Sequence, residues 1–382
     1  MECVKLRKMA KGLSEVLARV AILGVSAQIL LGLFWIVMHF TMFQLFGESL
    51  LCCLQLAVAA WAADRFLRVF PGYVQSPVWK KAWMVLAMVT FPIAAACHVA
   101  VLPVSLTASL WLVSLSIPLK TQGERKGEGK ARFKILWDGP AVRLVKLGLL
   151  WLIEALLMPE YVVFGAILLV ICAMKEFASS RYVIFIAAAF LWLVPFLSGV
   201  TTQGGVLPGI CQTSETALSP QDTLKAMEER LKGDWPQTGK DVLKDGICYG
   251  LAPVAELVSL AGRGPENHLG ENYEMMRIGA PKLTSFYVRY GGYCFLGLVL
   301  IGIWLQAGAF WESSKEEKKH LAGKAGFVLA LCAVMILYYA LRTRGSMDEK
   351  NVLSVMELWM AWICGLLLKY VKWNEPAKER RE

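Results

Sequence analysis

From Thr201 the chain reads TTQGGVLPGICQTSETALSPQDTLKAMEERLKGDWPQTGKDV, and it stays polar and rich in Gly and Pro until about Tyr290. On both sides of this stretch apolar runs of about 20 residues recur, the length that crosses a bilayer core as a helix. A long aqueous segment between two sets of apolar runs decides the fold class. The expectation is an all-α, polytopic membrane protein of about ten transmembrane helices, with a helical extracytoplasmic loop between the seventh and the eighth. The divisions are 1–200 for the first seven helices, 201–289 for the outer cap, and 290–382 for the last three helices and a basic tail.

Composition agrees. Of 382 residues, 57% are hydrophobic and only 18% are charged, against about 25% charged in soluble domains. The net charge of +10 sits largely in short loops between apolar runs. There it sets topology and meets anionic headgroups rather than nucleic acid. The ten cysteines include no CxxC pair; most fall in apolar runs, where a thiol packs as a small hydrophobe. Cys211 and Cys248 lie in the polar stretch and either pair or stay free. Lys5, Arg7, Lys8, Lys11 and Arg19 precede a first run too long for a signal-peptide core, so an anchor that stays is expected.

The expected spans are Val20–Phe40, Leu50–Ala63, Trp83–Cys97, Val104–Leu119, Ala141–Met158, Tyr161–Met174, Tyr182–Leu197, Tyr290–Phe310, Ala325–Leu341 and Val352–Leu368. The fifth and sixth, separated by Met158-Pro159-Glu160, read equally as a re-entrant hairpin. Basic loops at Lys120–Lys134 and Lys315–Lys324 and the basic tail put both termini in the cytoplasm of a plasma-membrane protein. Arg342 and Arg344 fall on the opposite side, against that rule or for a function. Within the cap, Ser219-Pro220 starts one helix, a second covers Lys240–Leu260, and Pro281 begins a helix that runs into the eighth span.

Chemistry has few places to sit. No GxxxxGK[ST], HExxH, GxSxG or D-x-D motif occurs, so ATP-driven transport and zincin proteolysis have no support. No metal site and no cofactor is indicated. The ten-span layout instead places His39, Glu48, His98, Glu154, Glu160 and Glu357 at the outer ends of helices, facing the cap. A carboxylate in a span costs up to about 3 kcal/mol and usually faces a cavity. Glu154, flanked by apolar residues and a Pro-Glu turn, is the first candidate, and Glu48, in the turn Phe43–Ser49, the second. Glu271, Glu274 and Arg277 cluster in the cap, and Arg342 with Arg344 suits a phosphate. Trp79, Trp83, Trp111 and Trp359 read as interfacial anchors or packing.

Cys97-His98-Val99-Ala100-Val101-Leu102-Pro103, Met158-Pro159-Glu160-Tyr161 and Asn272-Tyr273-Glu274-Met275-Met276-Arg277 resemble short signatures of uncharacterised multi-pass proteins similar in layout to GT-C membrane glycosyltransferases. The number of spans and the large outer loop are also similar to the layout of SEDS peptidoglycan polymerases. The GT-C resemblance implies sugar transfer from a polyprenyl-phosphate donor at the outer face. Glu48 or Glu154 would be the base, and His98, Glu160, Glu271, Glu274, Arg277, Arg342 and Arg344 would bind substrate. Two other functions are open: a transporter or flippase, which needs broken helices or mid-membrane ionisable groups, of which the spans show few, and a non-catalytic protein that binds a protein partner through 201–289.

Overall fold

The computed structural model describes residues 2–42, 46–70, 72–99, 103–119, 140–158, 161–176, 240, 241, 243, 281–312, 326–337 and 349–370. Every regular element among them is helical: α1 (Glu2–Met42), α2 (Phe46–Leu67), α3 (Val78–Val89), α4 (Pro92–Val99), α5 (Pro103–Leu119), α6 (Pro140–Leu157), α7 (Tyr161–Glu176), α8 (Pro281–Glu312), α9 (Gly326–Leu337) and α10 (Glu349–Tyr370). Three of the described helices are long and apolar enough to cross a membrane, in Met9–Met38, Leu50–Leu67 and Lys282–Gly308, and a fourth crossing is reached if α3 and α4 count as one span. The seventh expected span, and the cap apart from residues 240, 241 and 243, lie outside the described residues. So do Cys211 and Cys248.

The helices show the burial pattern of a membrane bundle. On α1, Val16, Val20, Leu23, Leu30, Phe34 and Val37 are exposed, while Ala18, Val25, Ile29 and Trp35 are buried. On α6, Val145, Leu149, Ile153 and Leu156 form a similar outward stripe. Such apolar faces are costly against water and cost nothing against lipid tails. Around the interior, α1 packs on α8, α2 on α5 and α3, α5 on α6, α6 on α7, and α10 on α5, α3 and α8. At one end Asp64 ties the α2–α3 turn, taking hydrogen bonds from Arg68 (2.6 Å) and from the buried Tyr73 hydroxyl (3.0 Å).

Several boundaries differ from the expectation. α1 begins at Glu2, well before Val20, and α2 begins at Phe46, so Glu48 belongs to the first turn of a helix rather than to a connecting turn. The larger correction concerns Trp83–Cys97. It is not one continuous helix but two, α3 and α4, bent by 78°. Pro92 has no N–H to give the Met88 carbonyl one turn back, and it drives Phe91 out of the α conformation; Pro92 then serves as the first residue of α4.

The Thr90 carbonyl, freed at this break, is satisfied from neighbouring helices. Gln28 of α1 donates to the Thr90 oxygen at 3.3 Å, and the Tyr287 hydroxyl of α8 donates to the same oxygen. Tyr287 stacks on Trp35, whose indole donates to Thr284 at 3.0 Å. Gly32 makes room for this: a Cβ there would sit 2.6 Å from the Thr90 oxygen. Tyr287→Phe removes one of two donors and is expected to lower stability by about 1 kcal/mol, read as the denaturation midpoint in detergent. An unchanged midpoint would mean that Gln28 alone suffices.

Candidate functional site

The break turns α4 so that its last residues enter the interior, where His98 is fully buried. Its Nδ1 shares a hydrogen bond with the Ser105 hydroxyl of α5 at 2.7 Å. Its Nε2 faces Glu357 Oε1 of α10 at 3.5 Å, close enough for an ion pair but not aligned as a hydrogen bond. One level along, Tyr161 at the start of α7 hydrogen-bonds Ser354 of α10 at 2.5 Å, with its ring edge-on to Trp111 of α5 at 5.6 Å. At a third level the Ser114 hydroxyl of α5 donates to Glu154 Oε1 of α6 at 2.6 Å. Both carboxylates, Glu154 and Glu357, lie within electrostatic reach of the Tyr161 hydroxyl.

These pairings fix the directions of the helices. As α5 advances from Ser105 to Trp111, its partners on α10 retreat from Glu357 to Ser354, so the two run in opposite senses. Glu154 stands beside Ser114, yet Tyr161, past the turn, stands beside Trp111, so α6 runs against α5 as well. The α6–α7 turn therefore lies beside the middle of α5. From Ser105 to Ser114 the polar groups extend about 13 Å along α5, at about 1.5 Å per residue.

The site is buried and incompletely satisfied. His98, Ser105, Ser114 and Glu154 are each at most 1% exposed, and Ser354 and Glu357 are 3% exposed. Yet Glu154 Oε2, Glu357 Oε2, His98 Nε2 and Trp111 Nε1 have no hydrogen-bond partner. A buried donor or acceptor left unpaired costs about 1–3 kcal/mol, and four such atoms within one set of touching helices are the feature to be explained. No lysine or arginine is ion-paired with either carboxylate among the described residues.

Of the residues expected at the site, the structure buries His98 against Glu357, which the sequence placed at the same rim, and Glu154 separately against Ser114. Glu48 lies in α2, but its side chain is outside the described set. Glu160, Glu271, Glu274, Arg277, Arg342 and Arg344 lie outside the described residues. Sequence reasoning passed over Ser105, Ser114, Tyr161 and Ser354. They are ordinary polar residues inside apolar runs, and helical periodicity does not say which neighbour each will face. Trp111, read as an anchor or packing residue, is fully buried beside Tyr161.

No family model matches this chain, and neither a curated protein nor a solved structure matches it.

Proposed function

We propose that this chain is a plasma-membrane transporter, built on the ten-span layout with both termini cytoplasmic and residues 201–289 as an outer cap. The observation that carries this reading is the burial of two ionisable sites, His98 with Glu357 and Glu154 with Ser114, beside a helix broken by 78° and next to the turn of a second helix pair. Broken helices and buried ionisable groups are what a carrier needs at its central site.

Sugar transfer from a polyprenyl-phosphate lipid is the second reading. The His98–Glu357 contact supports it, since an imidazole–carboxylate pair is suited to taking a proton from an acceptor hydroxyl. It needs cations for the phosphate, and those it draws on, Arg277, Arg342 and Arg344, lie away from the two described carboxylates in sequence. An anionic donor beside two carboxylates is electrostatically the poorer match.

A single accessibility experiment separates the readings. Ser105→Cys is placed in a background without the ten native cysteines and treated with a membrane-impermeant thiol reagent in right-side-out and inside-out vesicles. A carrier exposes its central site to each side in turn, so labelling from both sides is expected. Labelling from the outer face alone would replace transport with sugar transfer, and labelling from neither face would remove both.

A further inference from the structure

We infer that the ion this transporter couples to is the proton, held at two stations, Glu154 and the His98–Glu357 pair, and passed between them through Tyr161. The inference rests on the transport reading and names the ion of that same site.

The arrangement of donors decides between a proton and a metal cation. A hard cation requires six or more oxygens at about 2.0–2.6 Å around one point. Here the oxygens are strung out along about 13 Å of α5, and among the described residues no three His, Cys, Asp or Glu side chains gather as ligands. A proton requires only a series of groups that can each both give and accept one, and that is what is present. Ser114 and Glu154 form the first, Tyr161 and Ser354 the second, and Glu357, His98 and Ser105 the third.

The Tyr161 hydroxyl stands between the stations. It bonds Ser354 Oγ at 2.5 Å, while Glu357 lies one helical turn beyond Ser354 on the same face of α10 and Glu154 lies just before the turn that leads to Tyr161. A proton on Glu154 moves to the Tyr161 oxygen as the Tyr161 O–H proton passes to Ser354 Oγ and the Ser354 proton passes on to Glu357. One O–H bond forms for each that breaks, and neither the phenol nor the serine is left charged. At the receiving station the proton is shared between Glu357 Oε1 and His98 Nε2, which face each other at 3.5 Å.

Among the described residues, no other titratable group near the path supplies a competing counter-charge. The groups facing Glu154 are Ser114, Tyr161 and, across Tyr161, Glu357. Those facing His98 are Ser105 and Glu357, and Cys52 of α2 donates its thiol to the Val99 carbonyl next door at 2.7 Å. The charge on the two carboxylates is therefore set by the protons they carry.

The test uses the whole protein reconstituted in vesicles of phosphatidylcholine and phosphatidylglycerol on a solid-supported membrane. Displaced charge is recorded after a jump from about pH 8.5 to about pH 5 and, separately, after a sodium jump at constant pH. The expected result is a transient for protons and none for sodium. Glu154→Gln and Glu357→Gln should each reduce the displaced charge to about half, and the double variant should silence it, because each station loses its exchangeable proton. Tyr161→Phe keeps both stations but breaks the link, so its charge should fall to that of the station reached first. A sodium transient in place of the proton transient would overturn the proton assignment, and a Tyr161→Phe signal equal to the parent's would overturn the link. If the proton jump is silent while Ser105→Cys is labelled from both sides, the proton inference fails and transport stands; one-sided or absent labelling removes the transport reading itself.

Discussion

Glu154→Leu is expected to make the protein more stable while reducing its displaced proton charge to about half. Glu154 is wholly buried, with Oε1 bonded to Ser114 at 2.6 Å and Oε2 without a partner. Leucine has nearly the volume of glutamate and no oxygen to leave unpaired. The variant thus removes an unmet acceptor worth about 1–3 kcal/mol. It forfeits one hydrogen bond worth about 1 kcal/mol, and the Ser114 hydroxyl can instead donate to a carbonyl one turn back in its own helix. Replacement of buried polar groups by apolar ones of similar size is commonly neutral or stabilising by about 1–4 kcal/mol. The thermal midpoint in detergent near neutral pH should therefore rise. A drop of the size of a lost buried hydrogen bond would instead show that Oε2 is satisfied in the folded protein and that Glu154 is structural.

The same reasoning separates Glu154 from the groups that hold the bundle together. The Thr90 carbonyl is satisfied: the break frees it, and Gln28 and Tyr287 both donate to it, although Gln28 Oε1 itself has no hydrogen-bond partner among the described residues. Loss of a donor there should destabilise. Around Glu154, Glu357, His98 and Trp111 atoms remain unmatched, and loss of a polar group there should stabilise. Opposite signs from two polar clusters in one membrane bundle are hard to explain unless the unmatched one is kept for its chemistry.

What could be read in the sequence follows the same division. Apolar runs of spanning length are a bulk property, and α1, α2, α5, α8 and α10 fall where those runs are. The helix from Pro281 through to Glu312 was legible because proline favours the first turn and nothing interrupts the run after it. Glu154 and His98 stood out because an ionisable group in an apolar run is expensive. The 78° break was missed although Phe91-Pro92 carries the signal for it. Hydropathy averages over that dipeptide and sees one continuous run. The serines and Tyr161 were not legible at all, because a hydroxyl inside a helix can return to its own backbone, as Ser109 does to Ser105, or reach across to a neighbour, as Ser114 does to Glu154. Only the packing of α5 against α6, α7 and α10 chooses between these.

That packing depends on one close approach, and its loss should give a large destabilisation. Gly165 of α7 lies so near the Trp151 indole of α6 that a Cβ at 165 would overlap Cδ1 of the ring. Trp151 is itself 2% exposed, held in the interface between the two helices, so the ring cannot swing aside into lipid. Gly165→Val adds three carbon atoms where none fits and must push α6 and α7 apart. Overpacking of a filled interior costs about 1–3 kcal/mol and occasionally more; the upper end is expected here because the atoms met belong to a rigid ring. The helix-propensity gain of valine over glycine, at most about half a kcal/mol, is too small to offset it. Separation of the pair would also draw Glu154 and Tyr161 out of register with Ser114 and Ser354, so the proton transient should weaken in parallel. The control is Trp151→Leu, which opens the same interface. Alone it destabilises by leaving a cavity, but combined with Gly165→Val it should recover part of the loss, with a coupling of about 1 kcal/mol or more between neighbours in contact. Strict additivity of the two midpoint shifts would show that Gly165 and Trp151 do not meet, and the hairpin that carries Glu154 to Tyr161 would have to be drawn differently.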